Sequence, residues 1–450
     1  MSDSLPSDPS VPHASEELLP PAPPRSWHGS RILWVGFVSY LISTGFIFSI
    51  YGVFIRPIAE TFEANMATMA LLPALYHVMS SALSPLLGRR FSRGGIRVSM
   101  MVGACLLPTG LLAASRAVTI GQAGLFFAGL AVVGSIMMGP LPANTLVTNW
   151  YGASRGKALG LTSTGSTAAG IVLPPLAALL IGFHGWRDAL AILAVLGVAV
   201  SLPTFFWLSI DRPEAIGQQP EDDRTRPDST STSASSGSSP PASPTPGPAV
   251  VGPDALAPAS TRALVGTLHF WAIAAMFGLL FAGSLVSVTF TVPYAQQLGL
   301  TLQQAAWILT ARSLAAITGQ VTLGGLSDRI GRRPVLWGAI AAELACWTVI
   351  AHAPSVSAFV VAGVGVGFFG GSFGALRGAM VASVFGRRDF PKVSGLLVPA
   401  ALPFQVMAVP LAGHLFDRTG DYAVSFQAFL VVFPIAALLL LLIPDRVAEP

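Results

Sequence analysis

The feature that most constrains this chain is its series of long apolar blocks. Blocks such as 32–55, 98–114, 189–210 and 429–443 contain no charged side chain. A helix needs about 20 mostly apolar residues to cross the hydrocarbon core of a bilayer. Only 10% of the 450 residues are charged, whereas soluble domains contain about 25%. The sequence therefore predicts an all-α protein that crosses a membrane many times.

Apolar runs bounded by charge, Gly or Pro predict twelve spans in two sets of six. Between the sets lies 211–262, whose Ser- and Pro-rich stretch "STSTSASSGSSPPASPTPGP" predicts a flexible cytoplasmic linker. We expect bundles over 31–210 and 263–443, and cytoplasmic tails over 1–30 (disordered, without a cleavable signal) and 444–450. Spans 1–6 are predicted at 32–55, 66–87, 96–115, 120–147, 157–181 and 188–210, and spans 7–12 at 267–291, 304–326, 334–352, 356–384, 393–415 and 423–443.

Basic residues in the short loops predict the orientation. With both termini in the cytoplasm, the cytoplasmic loops hold twelve basic residues: Arg89, Arg90, Arg93, Arg97, Arg155, Lys157, Arg329, Arg332, Arg333, Arg387, Arg388 and Lys392. The opposite loops hold four: Arg56, Arg116, Arg187 and Arg418. Cytoplasmic loops of membrane proteins carry the excess of Lys and Arg. We therefore expect a multi-pass protein of the cell membrane, the inner membrane if the source is bacterial.

A charged motif occurs after the second span of each set. "GGLSDRIGRR" occupies 324–333, and a related stretch, "LLGRRFSRGGIR", occupies 86–97, with Ser92 where the later copy has Asp328. Equivalent positions in two six-span sets indicate an internal repeat, which is how many transporters are built.

"GGLSDRIGRR" resembles the loop signature of the major facilitator superfamily. Further stretches resemble its monocarboxylate-porter branch, which includes the oxalate/formate-exchanger type: "YGVFIRPIAETF" (51–62), "RGKALGLTSTGSTAAGIVLPPL" (155–176), "GWRDA" (185–189), "DRPEAIGQQP" (211–220), "VFGRRDFPKVSGLL" (384–397) and "AGHLFDRTGDY" (412–422). The resemblance implies two six-helix bundles around a central cavity, with spans 1, 2, 4, 5, 7, 8, 10 and 11 near the cavity and spans 3, 6, 9 and 12 peripheral.

The repeated loop is interpreted as a gate. The Asp328 carboxylate is expected to meet the positive end of span 5 and stabilise the closed cytoplasmic side, whereas Ser92 makes the other half of the gate weak. The arginines serve either this gate or topology alone. The gating candidates are Asp328, Arg329, Arg332, Arg333, Arg89, Arg93 and Arg155.

Few ionisable residues lie within the spans, and each is costly in a membrane. Helix geometry places Arg312 about 21 Å and Arg377 about 13 Å from the cytoplasmic ends of spans 8 and 10. Both are candidates to bind substrate from the cavity, with pairing to carbonyls or to Glu343 as the alternative. Glu343 (span 9) and His77 (span 2) are proton-coupling candidates, although a structural role is favoured for both.

Polar residues complete the predicted binding set. Gln320 occupies the position where carboxylate-transporting relatives often have the substrate arginine, so either Arg312 replaces that arginine or the substrate is not a simple monocarboxylate. The other polar candidates are Tyr76, Tyr51, Gln405 and Asn144, together with Tyr40.

These features predict a secondary transporter of a small organic anion, a carboxylate, that works by alternating access through proton symport or exchange. The alternatives are an efflux antiporter for apolar or amphiphilic compounds and a transporter-like sensor without flux. We expect no enzyme activity, cofactor, metal site or nucleic-acid partner, since no ATP-binding motif and no basic patch with interleaved aromatics occurs. We expect a monomer whose Cys105 and Cys346 are buried apolar residues.

Overall fold

The architecture is built from membrane-length helices. The structure, a computed structural model, describes residues 28–92, 94–151, 155–219, 260–352 and 355–443, and within these ranges it contains helices and no β-strand. Among the described residues, ten helices are long and apolar enough to cross a membrane. One of them, Gly156–Leu208, contains a break at Gly185, where φ is 75° and ψ is 167°. The helix Leu302–Ile330 has the length of a span but a more polar sequence. The predicted all-α membrane fold is confirmed.

The first half contains spans 1–6. Span 1 continues from its α-helix through a π-helical turn, and span 4 changes to π-helix and then breaks at Gly139. The helices of the first half are Gly29–Thr44, Gly45–Ser49 (π), Tyr51–Phe62, Met66–Ser92, Ile96–Ser115, Ile120–Phe126, Phe127–Val132 (π), Val133–Met138, Pro140–Trp150 and Arg155–Leu208.

The second half contains spans 7–12. Spans 10 and 11 lie in one helical stretch of 64 residues, Val356–Thr419, in which Val356–Phe385 and Lys392–Thr419 are each long and apolar enough to cross a membrane. The helices of the second half are Thr261–Val265, Leu268–Gln297, Leu302–Ile330, Arg332–Ala351, Val356–Thr419, Tyr422–Phe429 and Val432–Leu441.

The first residues of the predicted linker pack against the first half. The Asp211 carboxylate accepts hydrogen bonds from the backbone N–H groups of Gly95, Ile96 and Arg97, at 2.6, 3.0 and 2.7 Å, and so caps span 3. Gln218 accepts a hydrogen bond from the His28 N–H at 3.2 Å. The folded part of the first half thus extends past residue 211, where the linker was expected to begin. The tails and most of the linker lie outside the described residues.

The two halves meet along glycines. A Cβ atom on Gly52 of span 1 would lie 2.9 Å from the Thr289 carbonyl oxygen of span 7, and one on Gly413 of span 11 would lie 2.7 Å from the Met66 carbonyl oxygen. Small residues permit such close approach of helices in membranes. These contacts lie towards one end of the spans, the end opposite the Arg90, Arg97 and Arg329 loops. We call the end with the Arg90, Arg97 and Arg329 loops the arginine-rich face. The end with the glycine contacts is the opposite face.

Candidate functional site

A central cavity of about 350 Å³ lies between the two halves. This volume suits a small molecule. Five spans line it, namely spans 1, 5, 7, 8 and 10, and all five are among those expected near a cavity from the resemblance. Its lining consists of Phe48, Ser49, Ser166, Thr167, Gly170, Pro174, Phe281, Ser284, Val288, Leu309, Arg312, Ser313, Ala316, Gly367, Gly370, Gly371 and Gly374.

Arg312 is the charged residue in this lining. Its side chain is only 7% exposed, and its Nη1 has no hydrogen-bond partner among the described residues. Span 10 leaves room for the long side chain at Gly367, where a Cβ atom would lie 2.6 Å from the Arg312 Cγ. An unpaired guanidinium nitrogen is costly to bury. Arg312 therefore lies where an anion in the cavity can compensate its charge.

Five hydroxyl side chains line the same cavity as Arg312. None of them makes a side-chain hydrogen bond within the described part of the chain. In contrast, Thr318 and Thr322, further along span 8, donate to backbone carbonyls one turn earlier at 2.8 and 2.7 Å. Hydroxyls without a partner are available to a polar ligand. The five residues are Ser49, Ser166, Thr167, Ser284 and Ser313.

Glu343 lies directly behind the cavity wall. Its side chain is 1% exposed, and its Oε2 is unpaired among the described residues. A Cβ atom on Gly370 would lie 3.2 Å from the Glu343 Oε1 and 3.5 Å from the Ser284 Oγ. The cavity wall over this carboxylate is therefore one glycine thick, although span 9 itself does not line the cavity.

Arg377 borders the cavity through an aromatic ring. Its guanidinium carbon lies 5.1 Å from the ring centre of Phe281, which lines the cavity. A guanidinium over an aromatic face gains cation–π stabilisation. Arg377 is partly exposed and lies three residues beyond Gly374, towards the arginine-rich face. Of the two predicted arginines, Arg312 therefore lies in the wall and Arg377 lies at its edge.

Tyr76 and His77 form a second layer behind Phe48. The Phe48 ring lies 4.8 Å from the Tyr76 ring and 5.6 Å from the His77 ring, measured between centroids. The His77 Nε2 is buried and unpaired among the described residues. Neither side chain is among the residues that line the cavity.

The other predicted polar contacts lie outside this lining. Tyr51 is buried within the first half, where its hydroxyl donates to the Met69 carbonyl. The Tyr40 hydroxyl donates to the Asn144 Oδ1 at 3.1 Å. Gln405 is partly buried and Gln320 is exposed. The prediction that Tyr51, Asn144, Gln405 and Gln320 contact the substrate thus has no support from this cavity.

The gating candidates are described only in part. The side chains of Asp328, Arg89 and Arg155, and the whole of Arg93, lie outside the described residues. Arg329 is exposed and Arg332 is partly buried. The Arg333 Nη2 donates to the carbonyls of Leu440 and Leu441, each at 3.4 Å, and thereby links spans 9 and 12.

All hydrogen bonds described between the halves lie towards the opposite face. The Asp417 carboxylate of span 11 accepts from the backbone N–H groups of Met66 and Ala67, at 2.7 and 2.8 Å, where span 2 begins. Further from the opposite face, the Thr310 hydroxyl of span 8 donates to the Ile171 carbonyl of span 5 at 2.8 Å. Gln303 donates to the Pro175 carbonyl at 3.4 Å. The described contacts therefore close the cavity on the opposite face.

Sequence reasoning missed the hydroxyls and glycines of the wall. A signal for them exists in the helical spacing, since Ser166, Gly170 and Pro174 recur every four residues on span 5. Gly367, Gly370 and Gly374 follow the same one-face pattern on span 10. Such a stripe of small residues also suits plain helix packing, so the spacing alone does not distinguish a cavity wall from a contact.

Comparison with known proteins agrees with this architecture. A family model described as Major Facilitator Superfamily matches residues 36–294 and 272–450. The chain belongs to this superfamily. Monocarboxylate transporter 12 of Homo sapiens is 24% identical over 90% of this chain and 78% of its own length. Monocarboxylate transporter 1 of Homo sapiens is 24% identical over 93% of this chain and 85% of its own length.

Solved structures show the same fold at low sequence identity. A bacterial homologue of the human lysosomal transporter Spinster, in an inward-facing and occupied conformation, matches with a TM-score of 0.73 and 15% identity, over 94% of this chain and 99% of its own. A D-xylose-proton symporter matches with a TM-score of 0.67 and 13% identity, over 94% and 99%. The resemblance stated from the sequence is confirmed, and the protein is a multi-pass membrane protein of a transporter family.

Proposed function

We propose that the protein is a secondary transporter that carries a small organic anion, a carboxylate, through the central cavity by alternating access. The observation that carries this proposal is Arg312, a buried cation with an unpaired Nη1 in the cavity wall. Matches to monocarboxylate transporters support the same substrate class.

The geometry accounts for recognition of a carboxylate. A guanidinium binds a carboxylate through two parallel hydrogen bonds, and these are strong because both partners are charged. Ser49, Ser166 and Thr167 come from the first half, whereas Arg312, Ser284 and Ser313 come from the second. A ligand between them therefore contacts both halves, which is what coupling its binding to a movement of the halves requires.

The arginine-rich face is assigned to the cytoplasm, because Lys and Arg are enriched in cytoplasmic loops. The described contacts near Asp417 then close the extracellular side. In the other state, Asp328 and the arginines around it are proposed to close the cytoplasmic side.

Counterflow tests this function. Purified protein in proteoliposomes loaded with unlabelled acetate, pyruvate, oxalate or succinate is given the same labelled acid outside, and label is counted inside the vesicles. We expect counterflow of at least one of these acids. A sensor without flux shows none, and an efflux antiporter exports neutral or cationic compounds instead.

Arg312→Lys tests the binding residue. Lys keeps the positive charge but loses the two-pronged geometry, so we expect a higher apparent KM or no transport, with normal membrane insertion. Arg377→Lys serves as the matched comparison and should have a smaller effect, because Arg377 lies at the edge of the cavity. Wild-type carboxylate transport by both variants would contradict the anion assignment.

A further inference from the structure

A second cavity, also of about 350 Å³, lies between the two halves at the opposite face. The first half contributes Arg56 and Glu60 from the helix that continues span 1, and Met66 where span 2 begins. The second half contributes residues of spans 7, 11 and 12, among them Gln296 and Phe416. No residue lines both this cavity and the central one. We call the second cavity the outer cavity.

A contact between spans 1 and 7 separates the two cavities. On span 1, Gly52 lies between Ser49 of the central cavity and Arg56 of the outer cavity. A Cβ atom on Gly52 would lie 2.9 Å from the Thr289 carbonyl oxygen, so the two backbones touch there. The helical rise from Ser49 to Arg56 is about 10 Å. The outer cavity is therefore a separate site, outside the point where the halves close.

The outer cavity contains one cation and one anion. The Arg56 Nε donates to the Glu60 Oε1 at 2.7 Å. This is the only side-chain hydrogen bond of Arg56 in the described part of the chain, so both of its Nη atoms are available to a ligand. The two side chains are 43% and 64% exposed, respectively. The pair can therefore be reached from water.

The surroundings of the outer cavity do not favour a simple anion. Asp417 and Asp421 each adjoin a lining residue in the chain, and their carboxylates accept hydrogen bonds from backbone N–H groups. Glu63 and Arg418 also lie within three residues of the lining, and both are exposed. Three acids and one base therefore surround a lining pair that is neutral. A ligand that is neutral overall suits this environment better than an anion.

Gln296 adds a buried acceptor to the lining. Its Oε1 is buried and has no hydrogen-bond partner among the described residues, which is unfavourable unless a ligand supplies a donor. The rings of Phe416 and Tyr422 stack with their centroids 3.9 Å apart, and both residues line the cavity. The outer cavity thus offers guanidinium donors, two kinds of acceptor and an aromatic surface. A carboxylate, an ammonium group and an apolar side chain are their respective complements.

We propose that the outer cavity binds a zwitterionic α-amino acid with an apolar side chain, and that this ligand holds the opposite face closed. Its carboxylate pairs with Arg56, its ammonium group donates to Glu60 and to the Gln296 Oε1, and its side chain packs on Phe416 and Tyr422. Because the ligand contacts both halves, it binds the closed face better than the open one and stabilises that state. The amino acid is therefore an inhibitor of transport rather than a substrate.

Binding of tritiated L-leucine to purified protein, measured by scintillation proximity, tests the ligand class. Unlabelled leucine should displace the label. The analogues 4-methylpentanoate, which lacks the ammonium group, and 3-methylbutylamine, which lacks the carboxylate, should each compete about tenfold less well, since a hydrogen bond between charged groups is worth about that factor. Arg312→Lys changes only the central cavity and should bind leucine as the wild type does.

Two variants should change the ligand preference in opposite directions. Arg56→Gln should weaken leucine binding about tenfold and bring 3-methylbutylamine close to leucine, whereas Glu60→Gln should bring 4-methylpentanoate close to leucine. Arg116→Gln is the matched control, because it breaks the other described ion pair, Arg116–Asp188, which lies outside the cavity. Gln296→Leu removes the buried acceptor and should also weaken leucine binding.

Closure of the opposite face is measured separately. A single cysteine is introduced into the central cavity as Ser166→Cys, with Cys105 and Cys346 replaced by Ser, and is labelled by an impermeant reagent added from the opposite face. Leucine on that side should slow the labelling several-fold, and this effect should be lost when Arg56→Gln is added. Leucine should also inhibit pyruvate counterflow from that side.

The outcomes distinguish this inference from the proposed function. The outer site is overturned if wild-type protein does not bind leucine, if Arg56→Gln and Arg116→Gln bind it equally, or if 4-methylpentanoate competes as well as leucine. Loss of leucine binding in Arg312→Lys would place the ligand in the central cavity and overturn it as well. If Arg56→Gln does not insert, unchanged binding by Gln296→Leu overturns it. Unchanged labelling, or counterflow of leucine itself, overturns the closing role. Failure of all carboxylates in counterflow, with leucine binding that still requires Arg56, refutes the proposed function alone.

Discussion

Gly319 determines how closely spans 8 and 10 approach each other. A Cβ atom at this position would overlap the carbonyl oxygen of Phe368. A carbonyl in a helix cannot rotate away as a flexible side chain can, so any substitution must push the two helices apart. Because Arg312 and Gly367 face each other across the same pair of spans, this contact also sets the shape of the cavity wall.

Gly319→Ala should therefore destabilise the second half. Overpacking of a tightly packed site costs about 1–3 kcal/mol, and we expect a lower melting temperature in detergent and weaker substrate transport. Gly338→Ala is the matched control, because no atom lies within 4 Å of a Cβ there and Ala favours the helix over Gly. Equal melting temperatures for the two variants would show that spans 8 and 10 separate at little cost.

At the scale of single residues, the sequence identified Arg312 because a charge within an apolar span is conspicuous. Tyr51 and Asn144, which the sequence also proposed, are not among the residues that line this cavity. A membrane helix is apolar both where it contacts lipid and where it contacts protein, so hydrophobic periodicity does not reveal which side faces inwards. A tyrosine hydroxyl such as that of Tyr51 is equally satisfied by a backbone carbonyl and by a ligand.

The contact between spans 2 and 11 is the clearest connection between the halves on the opposite face. Asp417 binds two backbone N–H groups where span 2 begins, and a carboxylate is favoured there by the helix dipole. The equivalent position in the second half is the start of span 8. The start of span 8 is instead capped within its own half, by Thr301 and Gln304. Closure of this face is therefore asymmetric.

Asp417→Asn should open this face more often. Loss of a charged cap costs about 0.5–2 kcal/mol, which corresponds to a several-fold change in the balance of the two states. The measurement is labelling of a single cysteine introduced as Ser166→Cys, with Cys105 and Cys346 replaced by Ser, by an impermeant reagent added from the opposite face. Asp421→Asn is the matched control, because Asp421 caps a helix within its own half through Ala423. Equal labelling of both variants would rule out a latch at Asp417.

Predictability differs among the elements. Span 8 was predicted at 304–326 from its apolar run, and the helix Leu302–Ile330 covers this range although its sequence is more polar than that of the other long helices. The π-helical turns at Gly45–Ser49 and Phe127–Val132 could not be anticipated, since their extra residue per turn is determined by packing against neighbouring helices rather than by local propensity.

The whole molecule follows the internal repeat that the sequence revealed. The turns that join equivalent helices contain glycines with positive φ at matching positions: Gly95 (85°) corresponds to Gly331 (93°), and Gly185 (75°) corresponds to Gly420 (72°). Such φ values favour glycine. The ψ angles differ within each pair, at 23° and 156° for Gly95 and Gly331 and at 167° and 4° for Gly185 and Gly420, so the two halves share the glycines of these turns but not the turn conformation. What the repeat does not specify is the relative position of the halves, which depends on contacts such as Asp417 with Met66.

The beginning and the end of the linker are each fixed by local hydrogen bonds, so we predict that the segment between them is only a tether. Asp211 and Gln218 attach its beginning to the first half, and Ser260 caps the short helix Thr261–Val265 at its end. Shortening 221–258 to about 20 residues should leave pyruvate counterflow unchanged, because about 20 extended residues still span up to roughly 66 Å. Asp211→Asn, which weakens the anchor rather than the tether, is the comparison and should lower stability. Normal membrane insertion of the shortened protein with loss of counterflow would instead assign the linker a regulatory role.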